Sequence, residues 1–150
     1  MYRRVMGACG LLLLACGSEP IAGPSLDDLR GEWNMSWTET GPGISCTWSN
    51  VTLTFRDPKK GQAGSWGGGE GACSGLIDSD RLVFLSFVLD SLTVNSGYIR
   101  FVPRATTYQF AGLVDGDEMS GGMSSNLRYV ETETQVQTRG HWRAVRVSTP

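Results

Sequence analysis

The sequence predicts an all-β domain: an antiparallel meander of about eight strands that closes into a barrel, preceded by one short helical turn. Three observations carry that expectation. From Glu32 to Thr38 the chain alternates with a period of two, placing Trp33, Met35 and Trp37 on one face and Asn34, Ser36 and Thr38 on the other. Behind that segment, short runs rich in aromatic and β-branched residues recur between turn signals such as Asp57-Pro58, Asn95-Ser96-Gly97 and Asp115-Gly116. A helical pattern occurs in the domain only just ahead of the first strand. Closing such a meander removes two edges that would invite aggregation. An eight-stranded barrel leaves an interior wide enough for packed side chains or one small ligand.

The chain of 150 residues suits one domain with one core. Its first segment lies outside that core. Arg3 and Arg4 precede an apolar run from Val5 to Ala15 that holds Leu11, Leu12, Leu13 and Leu14. The run is shorter than the ~20 residues a membrane-spanning helix takes. This is the pattern of a signal peptide. The division expected is 1–15 for the leader, 16–24 for a tether and 25–150 for the β-domain.

Leu13-Leu14-Ala15-Cys16 resembles the lipobox of bacterial lipoproteins. The resemblance implies that Cys16 is acylated, with palmitate or a similar chain in a diacylglyceryl group, and becomes the first residue of the mature protein. Each buried methylene of such chains contributes about 0.8 kcal/mol, so the anchor would hold the protein on a membrane. Two alternatives stand beside it: ordinary cleavage that leaves Cys16 as a free thiol, and acylation at Cys9, whose preceding Met6-Gly7-Ala8 fits the pattern less well. In lipoproteins an Asp after the modified cysteine tends to retain the protein at the inner membrane. Gly17 stands there instead, which implies the outer membrane of a bacterial envelope. Gly17 to Pro24 reads as a flexible tether.

Beyond the leader only Cys46 and Cys73 remain, and in an oxidising exported setting one disulfide between them is the economical reading. The rival, a metal site, has two cysteines and one distant histidine, His141, which make no ligand set, so neither metal nor cofactor is expected. The formal net charge is −2, and loss of Arg3 and Arg4 makes it more negative. Such a balance offers nothing to nucleic acid.

In chain order, Ser25 with Asp28 three residues on forms a capping-box-like start, and Leu26 and Leu29 share one face of a helical turn that Gly31 ends. Ser45 to Phe55 is a strand whose inward parity slips between Trp48 and Val51, predicting a bulge near Ser49-Asn50. Asp57 to Gly61 is a turn. Gly61 to Gly75 is glycine-dense. No helix follows to present its N-terminus to a phosphate, so a kinked strand pair turning near Gly67-Gly68-Gly69 is expected. Leu82 to Leu89 is continuous apolar sequence, read as a buried strand on its length and composition, although periodicity alone does not exclude a helix. Asn95-Ser96-Gly97 joins a hairpin, and Asp115-Gly116 joins a second through a two-residue turn. Asn126 to Gln137 alternates weakly, and Thr138-Arg139-Gly140 is expected to turn into a last strand, His141 to Val147.

The segment Leu26-x-x-Leu29-x-Gly31-x-Trp33 resembles the start of lipocalin and wider calycin barrels, where a short helical turn precedes Gly-x-Trp on the first strand. The resemblance implies a lipocalin-like barrel, closed at one end by an arginine from near the end of the last strand that packs over the tryptophan. Arg143 and Arg146 both lie in range. Arg146 is preferred because it shares parity with Trp142 and Ala144.

Catalytic residues are not expected, and the chain is not read as an enzyme. His141 has no nucleophile that the sequence can associate with it. Asp115 with Asp117, and Asp78 with Asp80, flank turns where Asp is common for its backbone hydrogen bonding. Trp33 is assigned to the core, whereas Trp48 and Trp66 are the candidates to line a ligand pocket. The expected function is a lipid-anchored envelope protein binding a small apolar ligand. The alternative is a structural or protein-interaction lipoprotein with a filled barrel, which the size and polarity of the interior would separate from the first.

Overall fold

A computed structural model describes residues 23–56, 63–76, 79–83, 87–128 and 135–148. The leader, Cys16 and the turn expected at Asp57 to Gly61 lie outside the described residues. A 3-10 turn, Asp27–Leu29, opens the domain. The Asp28 carboxylate accepts from both the backbone N–H and the hydroxyl of Ser25, each at 2.7 Å, which is the reach-back expected of a capping box. Among the described residues ten strands follow: β1 (Gly31–Gly41), β2 (Ile44–Phe55), β3 (Gly64–Gly67), β4 (Glu70–Gly75), β5 (Ser79–Val83), β6 (Phe87–Asn95), β7 (Tyr98–Pro103), β8 (Gln109–Asp115), β9 (Glu118–Arg128) and β10 (Gln135–Ser148).

Strand β1 pairs antiparallel with β2 on one side and with β10 on the other, so the ring β1-β10-β9-β8-β7-β6-β3-β2 closes. The fold is therefore a closed antiparallel barrel of eight strands, as the meander predicted, with β4 and β5 extending the sheet beside β2. Alternation places Trp33, Met35, Trp37, Leu53, Ile99, Phe101, Phe110 and Trp142 in one interior, each at most 2% exposed.

Some of the expected local structure differs. The bulge on β2 is present: Asn50 takes a positive φ of 56° and the β1–β2 register shifts between Met35 and Trp37. The glycine-rich stretch is not a reversing strand pair. Strand β3 pairs with the second half of β2 and β4 with the first half, both antiparallel, so they form one stave kinked at Gly68 and Gly69, whose φ values are 67° and 78°. The kink lies opposite the β2 bulge. In the second hairpin Asp115 pairs with Glu118, which makes Gly116 and Asp117 the turn residues, one position later than the sequence implied. Gly116 alone of the two has a positive φ, 58°, the pattern of a turn with glycine first. Thr138-Arg139-Gly140 is no turn: β10 runs through it without a break, paired to β1 and β9 at once. Ladders on both sides leave these residues extended, and Thr138 points inward, fully buried.

The disulfide joins Cys46 and Cys73, directly opposed on β2 and β4, and so fastens the kinked stave to its neighbour.

Candidate functional site

The two ends of the interior differ in chemistry. At the end nearer the 3-10 turn, the Trp33 indole Nε1–H donates to Leu29 O at 3.0 Å and both residues are fully buried. Gly31, at φ +121°, brings the turn directly onto the strand. Arg146 lies over the Trp33 ring, 4.2 Å from its centroid, and donates to the carbonyls of Arg30 (2.7 Å) and Asp28 (2.6 Å). Leu26, the residue before the 3-10 turn, is half-buried. The expected set of Leu26, Leu29, Gly31, Trp33 and Arg146 thus gathers at one end of the barrel. Arg143 faces outward and pairs with Glu118 instead.

The other end is polar. The inward period of β1 continues past Trp37 to Glu39, about 20 Å along the strand from Trp33 at ~3.4 Å per residue. Glu39 is 1% exposed. Its Oε1 accepts from Trp48 Nε1 at 3.0 Å, Tyr108 OH at 2.9 Å and, at longer range, Trp37 Nε1 at 3.4 Å. Its Oε2 accepts from Thr138 Oγ1 at 2.5 Å and Ser125 Oγ at 3.2 Å, and those two hydroxyls lie 2.7 Å apart. Strands β1, β2, β9 and β10 and the connection before β8 each contribute a donor. All five donors are neutral. A buried carboxylate costs several kcal/mol unless its lone pairs are met, and a carboxylate has about four acceptor sites, so this donor set fills its capacity without a cation.

Around the carboxylate stands an aromatic shell. Trp37 stacks on Trp48 (centroids 5.5 Å) and meets Trp66 at 5.6 Å, Tyr108 at 5.7 Å and Phe110 at 5.6 Å. The two sequence candidates, Trp48 and Trp66, are brought to this shell, but as packed members of it: they are 8% and 1% exposed, and Trp66 also meets Tyr108 and Phe110 at 5.7 Å. Tyr108 differs from the other rings in its support. It sits on the connection between β7 and β8, where Ala105 has a positive φ of 58° and Thr106 Oγ1 accepts from the Tyr108 backbone N–H at 3.3 Å.

Glu39, Tyr108 and Ser125 are not among the residues the sequence singles out, and Thr138 is expected there only as part of a turn. The signal for Glu39 was nevertheless there: the alternation that puts Trp33, Met35 and Trp37 inward puts Glu39 inward too. Its partners Tyr108, Ser125 and Thr138 lie 69 to 99 residues away in sequence, and only the closure of the barrel brings them to it. His141 faces outward opposite Thr38. Asp117 pairs with Arg146 at 2.7 Å. Asp78 lies outside the described residues. Among the described residues no three His, Cys, Asp or Glu side chains gather as a metal centre would need.

No family model and no curated protein matches the chain. A solved structure it is similar to is the S-type phycobiliprotein lyase CPES from Guillardia theta, at 11% identity and a TM-score of 0.48, covering 83% of this chain and 92% of that one. That neighbour is named a lyase, which corrects the expectation that a chain of this shape is no enzyme. At this similarity nothing of its activity passes to the present chain.

Proposed function

We propose that this is a lipid-anchored protein of the bacterial envelope whose lipocalin-like barrel binds a small, largely apolar ligand at the Glu39 end. The observation that carries the ligand reading is Glu39 itself, a fully buried carboxylate set among aromatic rings, where a core serving only stability is better filled by apolar side chains. Tyr108 supports that reading: its flat ring lies against Trp37, Trp66 and Phe110 and its hydroxyl donates to Glu39. A planar molecule with one hydrogen-bond donor fits the same description. It would enter by displacing Tyr108, the ring held by a connection and not by a strand. The anchor rests on the lipobox-like residues ending at Cys16.

A second reading, a filled barrel acting through its outer wall, is favoured by the ring contacts on every side of Trp37. Native mass spectrometry of the delipidated protein from its own host separates the two. A co-purifying small molecule that is lost in Glu39→Gln supports the ligand site, and a bare protein in repeated preparations favours the filled barrel. The anchor is tested apart from this: Cys16→Ser should leave the protein unprocessed or release it from the membrane fraction, and a variant that stays processed and bound would sink the lipoprotein reading.

A further inference from the structure

The outer wall carries a feature that the barrel interior does not explain. Across β7, β8, β9, β10 and β1 one row of outward positions reads Arg100, Ala111, Gly122, His141, Thr38, and the next row includes Gln109, Ser124, Arg139 and Thr40. The middle of the first row carries at most a methyl group, so the wall is hollowed there. A concavity of about 460 Å³ is lined by Tyr98, Arg100, Gln109, Ala111, Ser124 and Arg139, and one of about 630 Å³ by Thr38, Thr40, Gly140 and His141. They share Gly122, Met123 and Arg139 and so run on as one shallow groove. Five strands at ~4.8 Å spacing make it about 19 Å long.

Among the described residues the lining contains no acidic side chain, on a chain whose net charge is −2. Arg100 is held by Gln109, whose Oε1 accepts from its Nη2 at 3.2 Å, leaving the rest of the guanidinium fork to face the groove. Between Arg100 and Arg139 stand the Gln109 amide and the Ser124 hydroxyl, Thr38, Thr40 and His141 line the far end, and the half-exposed Tyr98 ring stands at the near one.

We propose that this groove binds an acidic oligosaccharide, with Arg100 and Arg139 taking its carboxylate or phosphate groups and Gln109, Ser124, Thr38 and Thr40 taking its sugar hydroxyls. The length fits an extended chain better than a point anion. A peptide is the poorer occupant, because the strands of this wall are paired on both sides and offer no free backbone edge for strand addition. The site is independent of the Glu39 end, and its failure would leave that reading untouched.

Gly122 provides the test. A Cβ there would meet only Gly140 O, at 3.9 Å, so a side chain can start from this position without a clash at Cβ, and Gly122→Leu is chosen to fill the floor. Calorimetric titration of the full mature protein with trigalacturonate should show binding. That binding should fall at least tenfold in Gly122→Leu and in Arg139→Ala, while Arg56→Ala, which removes one positive charge outside the groove, should leave it unchanged. Matching thermal melts would show that the variants are folded. Absence of binding at millimolar trigalacturonate, undiminished binding in Gly122→Leu, or equal affinity for pentaglutamate would each overturn the proposal, the last by showing a general polyanion or peptide surface.

Discussion

Arg146 and Trp33 are held face to face across the junction of the last strand and the first, the guanidinium carbon 4.2 Å from the ring centroid. The same guanidinium donates to Asp28 O and Arg30 O, and its Nε donates to Asp117 Oδ1 at 2.7 Å. One side chain, 11% exposed, therefore ties together the 3-10 turn, the strand it precedes and the β8–β9 hairpin. Arg146→Ala should cost about 2 to 4 kcal/mol, from a cation–π contact and charged hydrogen bonds whose acceptors are left facing the vacancy. Arg146→Lys should recover less than half of that, because a lysine has no planar fork to span two carbonyls. Urea melts of the two variants decide the point.

Trp33→Ala should cost roughly 3 to 5 kcal/mol. The same loss is expected for Trp66→Ala. Its strand parity left Trp66 free to line an open pocket in the sequence reading, but the ring is 1% exposed and packs against Trp37, Phe87, Tyr108 and Phe110. A Trp66→Ala midpoint close to wild type would mean that the ring does not fill the interior.

Glu39→Ala should destabilise the fold by about 3 kcal/mol or more, since it orphans the Trp48 and Tyr108 donors in a space that water does not readily fill. Glu39→Gln should cost less but not vanish, because one acceptor oxygen becomes an NH₂ facing donors. Equal stability of Glu39→Gln and wild type would show that the donors do not depend on a carboxylate.

The bond between Cys46 and Cys73, 27 residues apart, should stabilise the protein by roughly 3.5 kcal/mol on the chain-entropy estimate. Intact mass after alkylation of unreduced protein should find neither thiol modified. The Cys46→Ala, Cys73→Ala double variant should lose stability mainly through its unfolded state, which a urea titration reads as a lower midpoint.

Acid should loosen the end closed by Arg146. The hydrogen bonds from Ser25 hold the Asp28 carboxyl below its ordinary value, and the bond from Arg143 does the same for Glu118. A depressed folded value means that the stabilisation is complete above the ordinary carboxylate range and is lost as the pH falls through the folded values. Both groups are solvent-exposed, so the effect is small. Stability followed by thermal melting should decline below about pH 4, and Asp28→Asn with Glu118→Gln should flatten that decline. An unchanged slope in the double variant would assign it to other carboxylates.

By itself the sequence determined whatever rests on local period and turn chemistry: the inward face of β1, the hairpin around Asn95-Ser96-Gly97, the bulge near Ser49-Asn50, the capped turn before Gly31, and the choice of Arg146 over Arg143 by parity. These are properties of residues two to four apart, fixed by backbone geometry wherever the segment finally packs. Tertiary structure decided what depends on two ladders at once. Thr138-Arg139-Gly140 has the composition of a turn and is extended because β1 and β9 bond it from both sides. The glycine-rich stretch became a single kinked stave because β2 supplies one continuous partner along its length. Glu39 reads as an ordinary polar residue between two threonines, and it becomes a buried hub only when closure of the barrel brings Ser125, Thr138 and Tyr108 within hydrogen-bond distance. The physical reason is range: periodicity reports which face a residue takes, whereas the charge, packing and hydrogen bonds it meets there come from strands that the local sequence does not contain.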